Sequence, residues 1–175
     1  DDLARACGDL GIGLEAFAAA LEDLRADGRL VVETIAGADN CYLSGLWQDE
    51  TGLAAALAQL LNRPAWPAPP RRAIEAALER LRFEPDEVQR AAVEQALTAP
   101  FLVLTGGPGT GKTTVLRWLL EVLAAEGHDD LKLASPTGRA AKRLQEATGR
   151  EASTIHRLLR FDPITGGFAH DADEP

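Results

Sequence analysis

Apolar residues return at helical spacing through most of the first part of the chain. Leu3 to Leu10 reads as a short helix stopped by Gly11 and Gly13. Leu14, Phe17, Leu21 and Leu24 then share one face of a second helix, with Glu15, Glu22, Asp23 and Arg25 on others and Gly28 ending it. Leu30 to Thr34 predicts a strand, Gly37 to Asn40 a turn, and Cys41 to Ser44 the return strand. A third helix runs from about Thr51 to Leu61, with Leu53, Leu57, Leu60 and Leu61 inward. Helix, turn, helix, hairpin, helix is the layout of a winged-helix module, predicted over residues 1–62.

The pattern breaks at Arg63 to Arg72, RPAWPAPPRR, which reads as a proline-rich, extended linker and a domain boundary. From residue 73 onward it changes kind. An amphipathic helix carries Ile74, Leu78 and Leu81 on one side. Pro85 opens the next, where Val88, Ala92 and Ala96 make one apolar row and Val93 and Leu97 another. Phe101 to Leu104 reads as a strand. Val115, Leu116, Leu119, Leu120 and Leu123 form the buried stripe of a helix ending at Gly127, and Trp118, on another side, is assigned to packing. Leu131 to Ser135 is the following strand, completing a right-handed βαβ unit of a parallel sheet. In the next helix Ala140, Ala141, Leu144 and Ala147 face inward, Arg139, Lys142, Arg143 and Glu146 outward, and Gly149 caps the end. Ser153 or Thr154 caps a short helix containing His156, and Phe161 to Pro175 reads as irregular. The fold class is α/β.

Composition adds bounds rather than a fold. The 46% hydrophobic content suffices for packed cores. No run is long and apolar enough to span a membrane, so the chain reads as soluble, intracellular and cytoplasmic. Cys7 and Cys41 fit neither a disulfide framework nor metal spacing and read as small buried apolar residues. The chain begins at Asp1 and contains no Met, which reads as a piece of something longer. Charge is unevenly spread. Residues 1–70 are net −7, residues 71–175 net −2, and residues 136–160 net +4. The second helix of the N-terminal module has an acidic face, which would repel phosphate, so that module suits packing or a protein partner better than DNA reading.

The chemistry lies between these elements. Phe101 to Thr114 reads FLVLTGGPGTGKTT, with Gly106, Gly107, Pro108, Gly109, Thr110, Gly111, Lys112 and Thr113 matching the P-loop between a predicted strand and a predicted helix. Glycines let backbone N–H groups close round phosphate oxygens where a Cβ would block approach, and the helix beginning near Lys112 adds its positive end. Lys112 would reach the β- and γ-phosphates and Thr113 would ligate Mg²⁺. Without a ligand the same stretch would be only a glycine-rich turn, but motif and context together favour a nucleoside triphosphate. Upstream, Gln89 interrupts the Val93–Leu97 face. A buried amide needs partners for oxygen and nitrogen, and an adenine edge supplies both; backbone groups are the alternative. Downstream, Pro136, Thr137, Gly138 and Arg139 follow a strand at the end where ligands of parallel sheets gather, though a charged helix face is commonly just solvated. His156 has no second ligand at metal spacing.

LTGGPGTGKTT, ASPTGRAAKRLQEATGR and EASTIHRLL, in this order, resemble superfamily 1 DNA helicases of the RecD-like group, closely over residues 83–160. The N-terminal part is similar in layout to the helical region before the motor of stand-alone RecD-like proteins, more than to a RecD subunit within a nuclease complex. The resemblance implies an incomplete RecA-like P-loop parallel sheet preceded by a small, mainly helical, winged-helix-like domain. It implies ATP and Mg²⁺, with Gln89 reading adenine and Gly106 to Thr114 holding the nucleotide. It also implies single-stranded DNA contacts at Pro136, Thr137, Gly138, Arg139 and Arg143 and at Thr154 and His156, and 5′-to-3′ unwinding in DNA repair. The acidic pair that binds Mg²⁺ and activates water, the charge-stabilising arginine and the second motor domain are then expected beyond residue 175; Asp173 and Glu174 follow too polar a stretch to be that pair. A non-unwinding P-loop switch, whose acidic N-terminal domain meets a protein partner, is the competing reading.

Overall fold

The computed structural model describes residues 2–170. The chain divides into two compact units, Asp1–Asn62 and Arg63–Pro175. Asp171 to Pro175, including the Asp173–Glu174 pair, lie outside the described residues.

In the first unit α1 (Asp2–Asp9) and α2 (Leu14–Ala26) precede a hairpin of β1 (Leu30–Ile35) and β2 (Ala38–Leu43), followed by α3 (Ser44–Leu61). The strands are antiparallel, with Leu30 opposite Leu43 and Val32 opposite Cys41. Their connection is tighter than predicted. Ala36 and Gly37 alone make the turn, at φ 51° and 81°, and two left-handed residues match the twist of the flanking strands. Strand β2 therefore starts at Ala38, inside the predicted turn, and α3 starts at Ser44, well before Thr51. The Ser44 hydroxyl donates to the Gly28 carbonyl, fastening the start of α3 to the end of the preceding turn.

No described side chain of this unit is fully buried. Phe17, Leu21, Leu24, Leu57 and Leu60 are half-buried, but Leu14, Leu53 and Leu61, expected inward, stay 75%, 60% and 62% exposed. Cys41 is exposed and Cys7 half-buried, so neither is the buried cysteine expected. Cys41 sits on β2 between the inward-leaning Asn40 and Tyr42, on the outer side of the strand alternation.

The second unit has a core. The proline-rich segment ends sooner than predicted, because α4 (Arg71–Leu81) begins two residues inside it, with Pro70 as its N-cap residue. That segment also folds back on its own unit. The Trp66 N–H donates to the Thr98 carbonyl at 2.8 Å, and the Trp66 ring lies 6.1 Å from that of His128. Ile74, Ala77 and Leu78 of α4, Val93 of α5 (Glu87–Ala96), Leu97 just after it, and Val115, Trp118 and Val122 of α6 (Lys112–Ala125) pack together. Trp118 is the centre: wholly buried, with its indole N–H donating to the Ile74 carbonyl at 3.1 Å and Phe83 edge-on at 6.4 Å. Its assignment to packing holds. Val88, by contrast, is 78% exposed, so the buried side of α5 is the Ala92–Val93–Ala96–Leu97 side.

The sheet is short and lies one element later than expected. β3 (Leu133–Ser135) pairs in parallel with β4 (Ala152–Thr154), in register Leu133 to Ala152 and Ser135 to Thr154, across α7 (Gly138–Thr148). Phe101–Leu104, predicted as the strand entering the P-loop, forms none among the described residues and is 38–64% exposed. A central parallel strand is buried and satisfied by neighbours on both edges; β3 takes β4 instead, leaving this apolar stretch without a ladder. The α/β class holds, with the βαβ unit made by β3, α7 and β4. The end of the chain is more ordered than expected. After α8 (Ile155–Leu158), Phe161 and Phe168 form an antiparallel bridge, and Asp162 accepts from the Ile164 N–H at 2.8 Å and the Thr165 hydroxyl at 3.0 Å.

Candidate nucleotide and strand-binding site

The P-loop ends in Gly111, at φ 82°, and α6 starts on the next residue, so Lys112 and Thr113 open its first turn and Thr114 follows. The loop is closed on itself. The Lys112 ammonium donates to the carbonyls of Gly106 at 2.6 Å and Gly107 at 2.5 Å, and the Thr110 hydroxyl donates to Gly107 at 2.9 Å. No carboxylate lies within ion-pair distance of Lys112 among the described residues. Among the described residues its charge is met by neutral oxygens, those two carbonyls and, at 3.4 Å, the Thr110 hydroxyl. Pro108, Gly109 and Thr113 are exposed.

The loop fits a polyphosphate on steric grounds. A Cβ on Gly106 would sit 2.7 Å from the Thr110 hydroxyl oxygen, and one on Gly111 would sit 2.6 Å from the Gln89 amide nitrogen. A side chain at either position would have to displace the one it meets, and the left-handed backbone of Gly111 favours glycine in any case. A cation with no acidic partner, at a helix start beside a tight glycine loop, suits a multiply charged anion.

Gln89 stands against this loop. It is half-buried, and both ends of its amide meet backbone groups. Its oxygen accepts from the Asp86 backbone N–H at 3.1 Å, while the Gln89 backbone N–H donates to the Asp86 carboxylate at 2.8 Å: a capping box starting α5. Its Nε2 donates to the Thr110 carbonyl at 3.4 Å. One lone pair and one N–H remain free, the number an adenine edge takes up. The Asp-x-x-Gln spacing was the legible signal of the capping box; the reach of Gln89 to Thr110 had none.

The second group of residues gathers at the C-terminal end of the β3–β4 pair. Ser135 lies in register with Thr154, so the Pro136–Arg139 turn and the start of α8 leave the sheet side by side. The Thr137 hydroxyl accepts from the Ala140 N–H at 3.2 Å, capping α7, and Thr154 likewise caps α8 through the Arg157 N–H at 3.2 Å. Gly138 begins α7. Arg139 and Arg143 are exposed and, with Thr137 and Ala140, line an open recess of about 360 Å³. His156 is exposed but engaged: its ring lies 5.1 Å from Phe161 and 5.8 Å from Phe168. That aromatic trio, closed by the Phe161–Phe168 bridge, has no periodic signature in the chain. The described residues contain no cluster of His, Cys, Asp and Glu able to hold a metal, and no helix long and apolar enough to cross a membrane.

Comparison with known proteins agrees with this geometry. Residues 89–175 match an AAA domain. The chain is 38% identical over 147 residues to the ATP-dependent RecD2 DNA helicase of Deinococcus radiodurans, covering 79% of this chain and 19% of that protein. It is 37% identical over 156 residues to the RecBCD enzyme subunit RecD of Mycolicibacterium smegmatis, covering 75% and 27%. The ATP-dependent DNA helicase dda of Enterobacteria phage T4 is 42% identical over 64 residues, covering 37% and 15%. The RecD2 helicase and the RecD subunit thus match at nearly equal identity, and the chain spans roughly a fifth to a quarter of their length. With its glycine loop, its lysine at the helix start and its βαβ unit, the chain belongs to the RecD-like group of superfamily 1 helicases.

Proposed function

We propose that this chain is the ATP-binding part of a cytoplasmic, ATP-dependent DNA helicase that moves 5′ to 3′ along a single strand. The observation that carries the reading is Lys112, a cation without an acidic partner among the described residues, held on the carbonyls of a loop that turns through Gly111 at φ 82°. Gly106 to Gly111 and Lys112 would hold the triphosphate, and the Thr113 hydroxyl would hold Mg²⁺ against it. The ion neutralises phosphate charge when bound. Gln89 has the donor and acceptor left to take adenine. Pro136 to Arg139, Arg143, Thr154 and His156 form the proposed strand-facing surface, since the two turns leave one end of the sheet together and α7 turns cations outward.

Phosphoryl transfer rests on positioned charge, and an arginine from a second domain alone accounts for ~10³–10⁵ in rate. These 175 residues are therefore expected to bind ATP weakly, if at all, and to hydrolyse it negligibly; steady hydrolysis stimulated by single-stranded DNA from the pure chain would refute that. In the whole protein Lys112→Ala should abolish hydrolysis and leave strand binding at low salt largely intact. Equal loss of both would overturn the division of roles. Forked duplexes bearing one or the other single-stranded tail test the direction.

A second reading, a P-loop switch whose first unit binds a protein partner, draws on the net charge of −7 over residues 1–70 and on that unit's exposed leucines. Single-stranded DNA binding by the whole protein separates the two, because the switch does not require it.

A further inference from the structure

We infer that Gln89 is a positioning residue of the phosphate loop, acting whether or not a base is present; the inference rests on reading Gly106–Thr113 as that loop. The geometry holds the amide from one side and the loop from the other. On the helix side, the Asp86 backbone N–H donates to the Gln89 side-chain oxygen at 3.1 Å and sets that amide before any ligand arrives, while the Gln89 backbone N–H donates to the Asp86 carboxylate at 2.8 Å. On the loop side, Nε2 reaches the Thr110 carbonyl, and a Cβ on Gly111 would come within 2.6 Å of that same nitrogen. The amide and the loop are thus in direct contact, and a Cβ on Gly111 would have to push the Gln89 amide aside.

The contact falls on a consequential peptide. In a planar trans peptide the carbonyl and the following N–H point in opposite directions. Holding the Thr110 carbonyl therefore aims the Gly111 N–H, a loop donor, away from Gln89. Thr110 carries the constraint further, since its hydroxyl donates to the Gly107 carbonyl and accepts from Lys112 at 3.4 Å. Gln89 in this way links the first turn of α5 to the lysine that opens α6. Its spare lone pair and N–H stay available to a base, so the two roles coexist on one amide.

Inorganic tripolyphosphate with Mg²⁺ separates them, because it has phosphates and no base. Calorimetric titration of the whole protein should show Gln89→Ala weakening tripolyphosphate about fivefold, the scale of one net hydrogen bond, with ATP weakened at least as much. Asp86→Ala, which removes the carboxylate cap but leaves the backbone N–H that holds the Gln89 oxygen, should stay within about twofold of the unaltered protein. Loss confined to ATP would overturn the inference and leave the nucleotide reading standing. Equal loss in Asp86→Ala would overturn it too, since the helix start would then be what matters. If the unaltered whole protein takes neither anion, the phosphate-loop reading is what fails. Hydrogen exchange then decides the contact: faster exchange at the Gly111 N–H in Gln89→Ala but not in Asp86→Ala supports it, and unchanged exchange overturns it.

Discussion

The two units carry equally clear helical patterns and bury them to very different depths. In Arg63–Pro175 the pattern ends in a core, with Trp118, Val93 and Val122 almost wholly enclosed. In Asp1–Asn62 no described side chain is fully buried. The indoles make the contrast concrete. Trp118 donates its N–H to the Ile74 carbonyl, whereas the Trp47 N–H is enclosed without a partner among the described residues. Periodicity tells which side of a helix turns inward, but depth depends on what stands opposite. Three helices and a large ring meet in the second unit. A two-stranded hairpin offers less, and small units enclose a smaller share of their surface.

The sharpest way to break this comparison is to remove its centre. Trp118→Ala should cost about 3–5 kcal/mol of the second unit's stability, leaving the Ile74 carbonyl without its donor, as read by denaturant unfolding with hydrogen exchange along α6. Its counterpart, Leu21→Ala on the half-buried side of α2, should cost about 1 kcal/mol. Similar losses from both would mean that the first unit has a core as consequential as the second's. The smallest effect belongs to Asp162. The Ile164 N–H, then the Thr165 hydroxyl, hold its carboxyl below the ordinary carboxylate range. Because the folded value is the lower one, the charged form favours the turn. That contribution is present above the ordinary range and fades as pH falls through the lowered value. Chemical shifts of the Phe161 and Phe168 rings should follow the titration, and shifts unmoved by acid would detach the carboxylate from the aromatic trio.

Much of this was legible because it is local. Ile74, Leu78, Val93 and Leu97 lie on the sides their spacing indicates, and Gly149 ends α7 at φ 70°. The P-loop lies in its motif, directly before a helix. The misses share one cause: each depends on a partner distant in sequence. Phe101–Leu104 has strand composition and no neighbour to pair with, whereas Ala152–Thr154, read only as a cap, becomes a strand because β3 lies alongside. Val88 opens an apolar row on α5 whose later members, Ala92 and Ala96, are half-buried while Val88 itself is exposed. The Phe161–Phe168 bridge closes through His156 and Asp162, with no repeat to announce it.

The self-closed loop has a consequence for how affinity is measured. Lys112 is already spoken for by two carbonyls, so an arriving phosphate enters by exchange rather than by filling open space. A measured dissociation constant for any anion here is then a difference between two sets of bonds to one ammonium group. Substitutions that loosen the resting set can tighten binding without touching the ligand.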